Sequence, residues 1–582
     1  MKSTATILQL VFALSQLAAS DYSSAMDCEV RDPPGECASE SVDRNETATF
    51  RLGFTTSLSK VFPHDYGDIF AAEGSDTASL SLARNESEAL QLVILATEDL
   101  APIKVQPGPL RSADGASIPA EDVQVQLVGY VNLPKPRKPG SPSGWIPDPL
   151  LPNRELKLRQ NQVQAYLITV RTHETTAAGN YRGHLDIDIG GKPAARAELN
   201  VHVWNFALPR VSRFKTTNFA DWATVDKMWP ERTFSPETRR PLMEALADLG
   251  FRNRLPPGVF FANGLRSWNW KGKGDTAVAY PTHDGERFNR ERTGEMLDFM
   301  LARGANHFFL AVTADIYKIP AASARRQQVL IRYLQEYRQY LQERKLLSMA
   351  YVYNIDEVWG EESAQHAHDI YSLIKSRVGG DLRVMQNSNE NNAGMFKRFL
   401  GYFDAFDINL GFYDIHRSDK YRQKYSGDFK DFWWNVNLWP DSHPNLFLEY
   451  PLLDARIIGP MSFRFNMQGF EYWQLFSASS MENYEPIDPA NTRVKWNVNE
   501  QSLDGCLVYP GKDMNIYSSL RFESFRDGME DQEYLYLLRE LAPSHPLLQV
   551  PVVQSLEKFT NEPATLLDFR RQLAEAIEQA QR

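Results

Sequence analysis

Two adjacent carboxylates, Asp356 and Glu357, are the residues whose type and position best suit chemistry. They follow an apolar, aromatic stretch, 347–355, which predicts a buried β-strand because Val, Ile, Tyr and Met are enriched there. In α/β barrels the catalytic groups lie at the carboxyl ends of such strands. Paired carboxylates beside aromatic side chains are what hydrolysis of a glycosidic bond requires. The alternative is that one acid is solvated while the other caps the next helix, since neighbours on a strand face opposite sides.

The whole chain has the composition of an ordinary globular protein. Its 582 residues exceed what one hydrophobic core supports, so several domains are expected. Hydrophobic residues make up 43% and charged residues 24%, and no low-complexity tract predicts disorder. A formal charge of −11 opposes a nucleic-acid partner, which would need a basic face. No Cys/His spacing is typical of a metal site, so neither a metal nor another cofactor is expected.

The first residues, 1–20, have the features of a secretory signal peptide. Lys2 supplies a positive start, 7–14 an apolar core, and 18–20 a cleavage site of small residues. The apolar core is too short to span a bilayer, and no later stretch reaches the roughly 20 residues of a transmembrane helix. The mature protein is therefore expected to be secreted and soluble.

Export makes the cysteines and two asparagines informative. Cys28 and Cys37 lie close together in a polar segment and are placed to form a local disulfide. Cys506 would then remain unpaired, and its apolar surroundings favour a buried thiol over a reactive one. Asn45 and Asn85 lie in N-glycosylation sequons, which are meaningful in a eukaryotic secretory pathway.

Hydrophobic patterning divides the remaining chain into four parts. Residues 21–47 are polar and are typical of a linker. From 48 to 208, short alternating strands without an intervening long helix predict an all-β sandwich. From 209 to 480, apolar strands separated by amphipathic helices predict an α/β domain, a (β/α)8 TIM-type barrel. Residues 481–582 predict a C-terminal extension of one strand and two helices.

Eight apolar segments supply the strands of the predicted barrel. A helix at 325–346, with buried-type residues three and four apart, is the clearest of the helices between them. Beyond the barrel, a strand is predicted at 503–509 and helices at 520–541 and 564–581. The predicted barrel strands are 214–219, 250–255, 307–312, 347–355, 382–386, 405–410, 431–437 and 469–475.

Aromatic and amide side chains recur near the ends of the later predicted strands. Sugar rings stack their C–H faces on aromatic walls, while their hydroxyls bind amides and charged groups. The alternative is packing, since barrel interiors are themselves aromatic, and about half of such residues would serve that role. The candidate substrate-binding residues are Asn387, Trp433, Trp434, Asn435, Tyr472 and Trp473, with Asn389, Asn437 and Arg456 nearby.

A group of acids in the helix at 520–541 could be mistaken for a second site. The acids alternate with Arg521 and Arg526 along the helix. This mixing favours a solvated or ion-paired face over a catalytic one. The acids concerned are Glu523, Asp527, Glu530 and Asp531.

Seven short motifs in a fixed order resemble those of a known family. The resemblance is to glycoside hydrolase family 123, the β-N-acetylgalactosaminidase family with an N-terminal sandwich domain, and it runs from about residue 50 to 545. The motifs are LARNE at 82–86, PDPLLP at 147–152, YNIDE at 353–357, FWWN at 432–435, GFEYW at 469–473, DGCLVYPG at 504–511 and SLRFESFRDGMED at 519–531.

The resemblance implies a barrel glycosidase that uses substrate-assisted catalysis. On the matching positions, Glu357 is the general acid and Asp356 holds the N–H of the substrate's 2-acetamido group. The acetamide oxygen attacks the anomeric carbon, an oxazolinium-type intermediate forms, and the configuration is retained. The implied substrate is a glycan or glycoconjugate that carries β-linked N-acetylgalactosamine. Glu357 is expected to have a raised pKa, because Asp356 and apolar surface disfavour its charged form.

The chain departs from the family pattern at two positions. Asn435 stands where the family commonly has Tyr, and Val358 follows the acid pair where Pro is usual. An Asn amide can donate a hydrogen bond as the phenol would, but the shape of that subsite differs. Two alternatives stay open: a β-hexosaminidase of other specificity, such as N-acetylglucosamine, and a catalytically silent glycan-binding protein whose sandwich is the binding module.

Overall fold

The computed structural model describes residues 49–64, 66–70, 77–220, 224–258, 283–284, 287–310, 323–353, 360–388, 402–411, 431–438 and 441–582. The predicted signal peptide, the predicted linker and the proposed Cys28–Cys37 disulfide lie outside these residues. Cys506 is described, and it is a buried, free thiol, as predicted.

The first sheet of the N-terminal part has six strands. All ten residues of Ser87–Ala96 are buried, so other elements cover both faces of this strand. Neighbouring strands are antiparallel, except at one edge, where Arg493–Val494 pairs in parallel with the sheet. The spatial order is Phe50–Thr56, Ser87–Ala96, Val163–Arg171, Val123–Leu133 and Arg493–Val494, and Gly144–Pro152 also pairs with Val123–Leu133.

The second sheet of the N-terminal part has seven strands. Along Lys192–Ala207 buried and accessible residues alternate, so one face of this strand contacts the core and the other faces solvent. The described residues between 77 and 208 contain no α-helix, which confirms the strand-rich pattern read from the sequence. The strands are Thr77–Arg84, Lys192–Ala207, Gly179–Ile189, Leu100–Pro107 and Leu156–Leu158 in spatial order, with Leu110–Ser112 and Ser117–Ile118 attached.

A third sheet follows, and all of its strand pairs are parallel. Described helices lie between several of its strands along the chain, so this part of the protein has a mixed α/β fold. Seven of the eight strands predicted from the sequence are present in it, with bounds that differ by a few residues. In spatial order they are Lys215–Asn218, Gly469–Tyr472, Asp431–Val436, Ala405–Asn409, Arg383–Ser388, Ala350–Tyr353 and Phe308–Leu310.

The strand predicted at 250–255 is wrong. Residues 250–252 are the last turn of a helix, Pro236–Arg252, which begins with a capping box between Ser235 and Thr238. The strong helix start carries the helical conformation through the apolar residues that resemble a strand. The extended segment comes later, at 256–258, beyond the helix end.

The segment 256–258 hydrogen-bonds to both edge strands of the parallel sheet. The Asn218 N–H donates to Pro256 O at 3.0 Å, and the Gly258 N–H donates to Asn218 O at 3.0 Å. On the other side, the Phe309 N–H donates to Gly258 O at 3.0 Å. A Cβ at Gly258 would lie 2.1 Å from Thr217 Oγ1, so only glycine allows this approach. One short segment therefore bridges the first and last strands of the sheet.

The described α-helices begin at residue 224 and continue into the C-terminal part. None of them is long and apolar enough to cross a membrane. The helix predicted at 520–541 has the predicted bounds, and those predicted at 325–346 and 564–581 are shifted by one to three residues. The helices are Thr224–Met228, Pro236–Arg252, Arg290–Ala302, Ala324–Glu343, Gly360–Leu373, Leu452–Arg464, Leu520–Leu541 and Pro563–Ala580.

Buried ion pairs join the N-terminal sheets to the C-terminal helices. Arg456 is fully buried and contacts Glu88 at 2.9 Å and Asp531 at 2.7 Å. Arg570 contacts Glu86 at 2.6 Å and Asp531 at 2.9 Å. Burial opposes ionisation of Glu88, but the guanidinium groups of Arg456 and Arg570 hold its pKa at about 2. Arg456, a candidate sugar ligand from its sequence position, therefore belongs to the interior of the fold.

The acids of the helix Leu520–Leu541 are ion-paired, as predicted, and Asp527, Glu530 and Asp531 are buried, while the Glu523 side chain is 12% exposed. Asp527 contacts Arg526 at 2.5 Å, and Glu530 contacts Arg254 at 3.2 Å. The Asp527 and Glu530 side chains are at most 4% exposed. These acids therefore neutralise buried arginines, and they form no separate surface site.

Candidate functional site

The strand Ala350–Tyr353 leads directly towards the predicted catalytic pair. Its four residues are buried, and the Tyr353 ring stacks on Phe219 with centroids 5.4 Å apart. Asp356 and Glu357 themselves lie outside the described residues, as does Asn389. The described residues nearest to the pair along the chain are Tyr353 and Gly360.

One buried carboxylate holds two amide side chains on neighbouring strands. The Asn387 amide donates to Asp407 Oδ2 at 2.5 Å, and the Asn435 amide donates to the same oxygen at 2.8 Å. Asp407 is fully buried, and Asn387 and Asn435 are each 5% exposed. Both amides are thereby fixed in orientation, because their N–H groups point at the carboxylate.

This polar group lies towards the carboxyl ends of the strands. Met385 is the register partner of Tyr353, and Asn387 lies two residues further along the same strand. Asn387 is in turn the register partner of Asp407. Because parallel strands advance together, the group lies one step beyond Tyr353, in the direction in which the chain continues to Asp356.

The free end of the Asn387 amide is a candidate ligand contact. With its N–H committed to Asp407, the carbonyl oxygen Oδ1 points elsewhere. Among the described residues this oxygen is buried and accepts no hydrogen bond. A buried acceptor without a donor costs free energy, which a ligand hydroxyl or N–H would relieve.

Two further amides, Asn409 and Asn437, extend this polar group. Asn409 donates to Asn437 Oδ1 at 3.1 Å and to Asn435 Oδ1 at 3.4 Å. Asp407 and Asn409 are absent from the sequence-based predictions. Their signal is the alternation in the predicted strand 405–410, where both occupy positions on one face.

The two adjacent tryptophans face opposite sides of the parallel sheet. Trp433 is fully buried against His307 and Phe309, and its ring covers Gly469. The indole N–H of Trp434 donates at 3.0 Å to Ser462 Oγ, on the helix Leu452–Arg464. This placement favours a packing role for both rings, and it puts Trp434 on the face away from Asn435.

The second aromatic pair shares one carboxylate partner. The Tyr472 hydroxyl donates to Asp504 Oδ1 at 3.2 Å, and the Trp473 indole N–H donates to Asp504 Oδ2 at 2.9 Å. Tyr472 is fully buried, while Trp473 is only half-buried. Trp473 is therefore the predicted aromatic residue that keeps accessible ring surface.

A separate polar cluster occupies the amino ends of the strands. Lys215 Nζ lies 3.0 Å from both oxygens of Asp431, and the Tyr351 hydroxyl donates to the same carboxylate. Arg383 donates to the Tyr351 hydroxyl at 3.1 Å. Burial lowers the pKa of Lys215 and raises that of Tyr351. This cluster lies at the end opposite to Asp407, so we regard it as part of the fold.

The parallel sheet and its polar carboxyl ends define the class of protein as an α/β enzyme. The model of the glycoside hydrolase 123 catalytic domain matches residues 311–538. The model of the glycoside hydrolase 123 N-terminal domain matches residues 69–189. Together the two models cover more than half of the chain. The chain belongs to glycoside hydrolase family 123, and it is therefore a glycosidase by family.

One solved structure agrees with this family at the level of the fold. A family 123 glycoside hydrolase from Clostridium perfringens, studied for glycolipid glycan hydrolysis, is similar with a TM-score of 0.64 and 13% identity over 91% of this chain and 97% of that chain. A family 39 glycoside hydrolase from Bacteroides cellulosilyticus WH2 has a TM-score of 0.33 and 10% identity over 78% of this chain and 82% of that chain, too low to carry an argument. No curated protein sequence matches the chain.

Proposed function

We propose that this family 123 protein is a secreted, retaining glycoside hydrolase that removes β-linked N-acetylgalactosamine from glycans or glycoconjugates. The observation that carries the proposal is the buried group of Asn387, Asp407 and Asn435. It adjoins the strand from which the chain continues to Asp356 and Glu357. A recessed set of fixed hydrogen-bonding groups towards the carboxyl ends of the parallel strands suits a sugar with a polar 2-substituent.

The reaction divides its two tasks between the adjacent acids. The protonated Glu357 gives its proton to the departing glycosidic oxygen. At the same time Asp356 accepts a hydrogen bond from the N–H of the 2-acetamido group. The acetamide oxygen bonds to the anomeric carbon as the bond to the aglycone breaks, giving an oxazolinium-type intermediate. Glu357 then removes a proton from water, and the water oxygen attacks the anomeric carbon. This attack opens the oxazolinium ring and restores the acetamide, with net retention of the anomeric configuration.

The amides bind the sugar in this proposal. The Asn387 oxygen, to which none of the described residues donates, accepts a hydrogen bond from a hydroxyl of the sugar ring, and Asp407 keeps the amide oriented. Asn435 has one N–H committed to Asp407, which leaves the other for a ligand acceptor. Trp473 supplies ring surface for the apolar face of the sugar.

The proposed catalytic domain is a closed eight-stranded barrel. The seven-stranded parallel sheet would be completed by the segment 256–258, whose backbone bonds to both edge strands support this closure. In this arrangement Asn387, Asp407 and Asn435 line the mouth at the carboxyl ends of the strands.

The decisive experiment compares hydrolysis of chromogenic β-N-acetylgalactosaminide, β-N-acetylglucosaminide and β-galactoside by the wild type and Glu357→Gln. We expect the first to be cleaved fastest, and Glu357→Gln to lose at least about 100-fold in kcat, the usual range for a general acid. Glu557→Gln is the matched control, because Glu557 is exposed on a loop of the C-terminal part. Cleavage of the plain galactoside at the same rate would contradict the substrate-assisted mechanism.

Asp356→Asn tests the second acid. A large loss of rate confined to acetamido substrates is expected if Asp356 orients that group. Fastest cleavage of the N-acetylglucosaminide would favour the other hexosaminidase specificity. Glycan-array binding without cleavage of any substrate would favour the silent glycan-binding protein.

Secretion is tested at the amino terminus. A signal peptide at 1–20 predicts that the mature protein begins at Asp21, which amino-terminal sequencing of exported protein measures. Of the two sequons, Asn85 donates its amide to Leu208 O at 2.9 Å and has a positive φ of 58°. This engagement favours a structural role for Asn85 over attachment of a glycan.

A further inference from the structure

Trp473 follows directly on the strand Gly469–Tyr472, in a bend of the chain. Side chains two residues apart share a face, and Gly469 faces Trp433 across the sheet. Trp433 in turn lies on the same face as Asn435, whose register partner is Glu471. Trp473 is thus two residues beyond Glu471 towards the carboxyl ends, and it is partly buried.

The Asp504 carboxylate fixes the plane of the Trp473 ring. The indole N–H donates to Asp504 Oδ2 at 2.9 Å, and Asp504 is 1% exposed. The other oxygen accepts from the Tyr472 hydroxyl at 3.2 Å, and that hydroxyl accepts from the Gly505 N–H at 2.8 Å. Both carboxylate oxygens are therefore engaged, which prevents the carboxylate from turning away from the indole.

Gly505 supplies the surface on which the ring rests. Its φ is +69°, and a Cβ at this position would lie 2.2 Å from Trp473 Cζ2. A side chain would therefore push the ring out of its place. The absence of a side chain lets the backbone of the loop cover one face of the indole, so that the opposite face is the one left for a ligand.

The loop that carries both residues is strained and held from several sides. Ser502 and Leu503 have φ values of 51° and 57°, in the left-handed region that non-glycine residues avoid. The Ser480 hydroxyl donates to Asp504 O at 2.6 Å, and the Leu448 N–H donates to Ser502 O at 3.0 Å. Strain that the surroundings enforce is typical of segments that fix a functional group.

We propose that Asp504 and Gly505 are positioning residues that hold Trp473 as a rigid wall for the apolar C–H face of a pyranose ring. The inference rests on the proposed function for the identity of the sugar. It adds two residues on a separate loop, which touch the ring and not the substrate. An indole with one face on a glycine and its N–H on a buried carboxylate presents its other face without rotational freedom.

Fluorine NMR of the full chain labelled with fluorotryptophan tests the proposal. The Trp473 resonance is assigned by its loss in Trp473→Phe. We expect N-acetylgalactosamine to shift this resonance in the wild type, and Asp504→Asn to move it without sugar. Asp504→Asn should also raise KM for the chromogenic β-N-acetylgalactosaminide about 10-fold, with little change in kcat, because the wall binds the sugar and takes no part in proton transfer.

Two matched controls separate this role from general stability. Asp513→Asn removes a carboxylate that also accepts from a tyrosine hydroxyl and a side-chain N–H, but on an exposed turn. Gly115→Ala is the control for Gly505→Ala. It places a side chain at a φ of +84° where nothing lies within 4 Å, whereas Gly505→Ala also makes the side chain collide with Trp473. Neither control should move the Trp473 resonance or KM.

The outcomes distinguish this inference from the proposed function. An unchanged resonance and KM in Asp504→Asn would overturn the positioning role. If no sugar shifts the Trp473 resonance in an enzyme that cleaves the β-N-acetylgalactosaminide, Trp473 does not contact the sugar. This result would overturn the inference and leave the proposed function standing. Sugar-dependent shifts that Asp504→Asn weakens, in a protein that cleaves no glycoside, would support the inference and refute the proposed function.

Discussion

The backbones of Gly459 and Gly528 touch where two C-terminal helices cross. A Cβ at Gly459 would lie 1.9 Å from Gly528 O, and a Cβ at Gly528 would lie 2.1 Å from Arg456 O. The helices Leu452–Arg464 and Leu520–Leu541 therefore pack with no side chain between them at this point. The close approach also lets Arg456 reach Asp531 across the crossing.

Gly528→Ala is expected to destabilise the protein by about 3 kcal/mol, because backbone atoms cannot yield to the added methyl group. On helix propensity alone the same change would stabilise by about 1 kcal/mol, so the sign of the effect is informative. Gly380→Ala is the control, since a Cβ there meets nothing within 4 Å. Urea unfolding measures both variants, and a Gly528→Ala protein as stable as the wild type would contradict the crossing geometry.

Asp148→Asn is expected to cost roughly 3–5 kcal/mol, because it leaves the buried guanidinium of Arg521 without its counter-charge. Arg521 contacts Asp148 at 2.9 Å, and the two side chains are 2% and 0% exposed. Asp568→Asn breaks an exposed pair with Arg571 and should leave the unfolding midpoint almost unchanged. Denaturant unfolding checks the contrast, and equal effects of the two variants would refute it.

The stability of the protein should depend on pH through His307. Burial and the charge of Lys215 lower the pKa of His307 to about 3, whereas an unfolded histidine titrates near 6.5. Between these values the unfolded state binds more protons, so this contribution is present above pH 6.5 and is lost as pH falls towards 3. Below pH 6.5 the stability of the wild type should fall relative to His307→Phe by about 1.4 kcal/mol per pH unit. Parallel pH profiles of the two proteins would rule out the buried neutral imidazole.

The Cys506 thiol should resist alkylation in the folded protein. Burial raises its pKa to about 12, so almost no thiolate forms near neutral pH. Iodoacetamide labelling of the native wild type and of native Cys506→Ala should therefore be equal. In guanidinium chloride the wild type should gain one additional labelled cysteine. A native difference between the two proteins would show that the thiol is accessible.

Local patterns predicted the strands and helices well wherever one period dominates. The helix Ala324–Glu343 lies within three residues of its predicted bounds, because Ser323 caps it and its buried residues recur three and four apart. The strand prediction at 250–255 is wrong because a strong helix start upstream overrides a short apolar run. At 503–509 the backbone turns through left-handed residues, and only Tyr509–Pro510 forms a strand. A sequence period does not reveal such a turn.

The candidate site was predictable only in part, because side-chain direction depends on tertiary packing. Asn387 and Asn435 belong to one polar group, as their positions at strand ends indicate. The carboxylate between them, Asp407, comes from a third strand, whose register with the others no local pattern fixes. Trp434 is next to Trp433 in sequence, yet it packs on a helix. The roles of Asp356 and Glu357 stay predictions.

The buried arginines bear on how such a protein changes during evolution. Arg456 draws one carboxylate from each end of the chain, Glu88 and Asp531, and Arg570 does the same with Glu86 and Asp531. Recombination that swapped the N-terminal sheets for another module would take Glu86 and Glu88 away and leave both buried arginines with fewer counter-charges. We therefore expect the N-terminal sheets to be inherited together with the hydrolase and not as an exchangeable module.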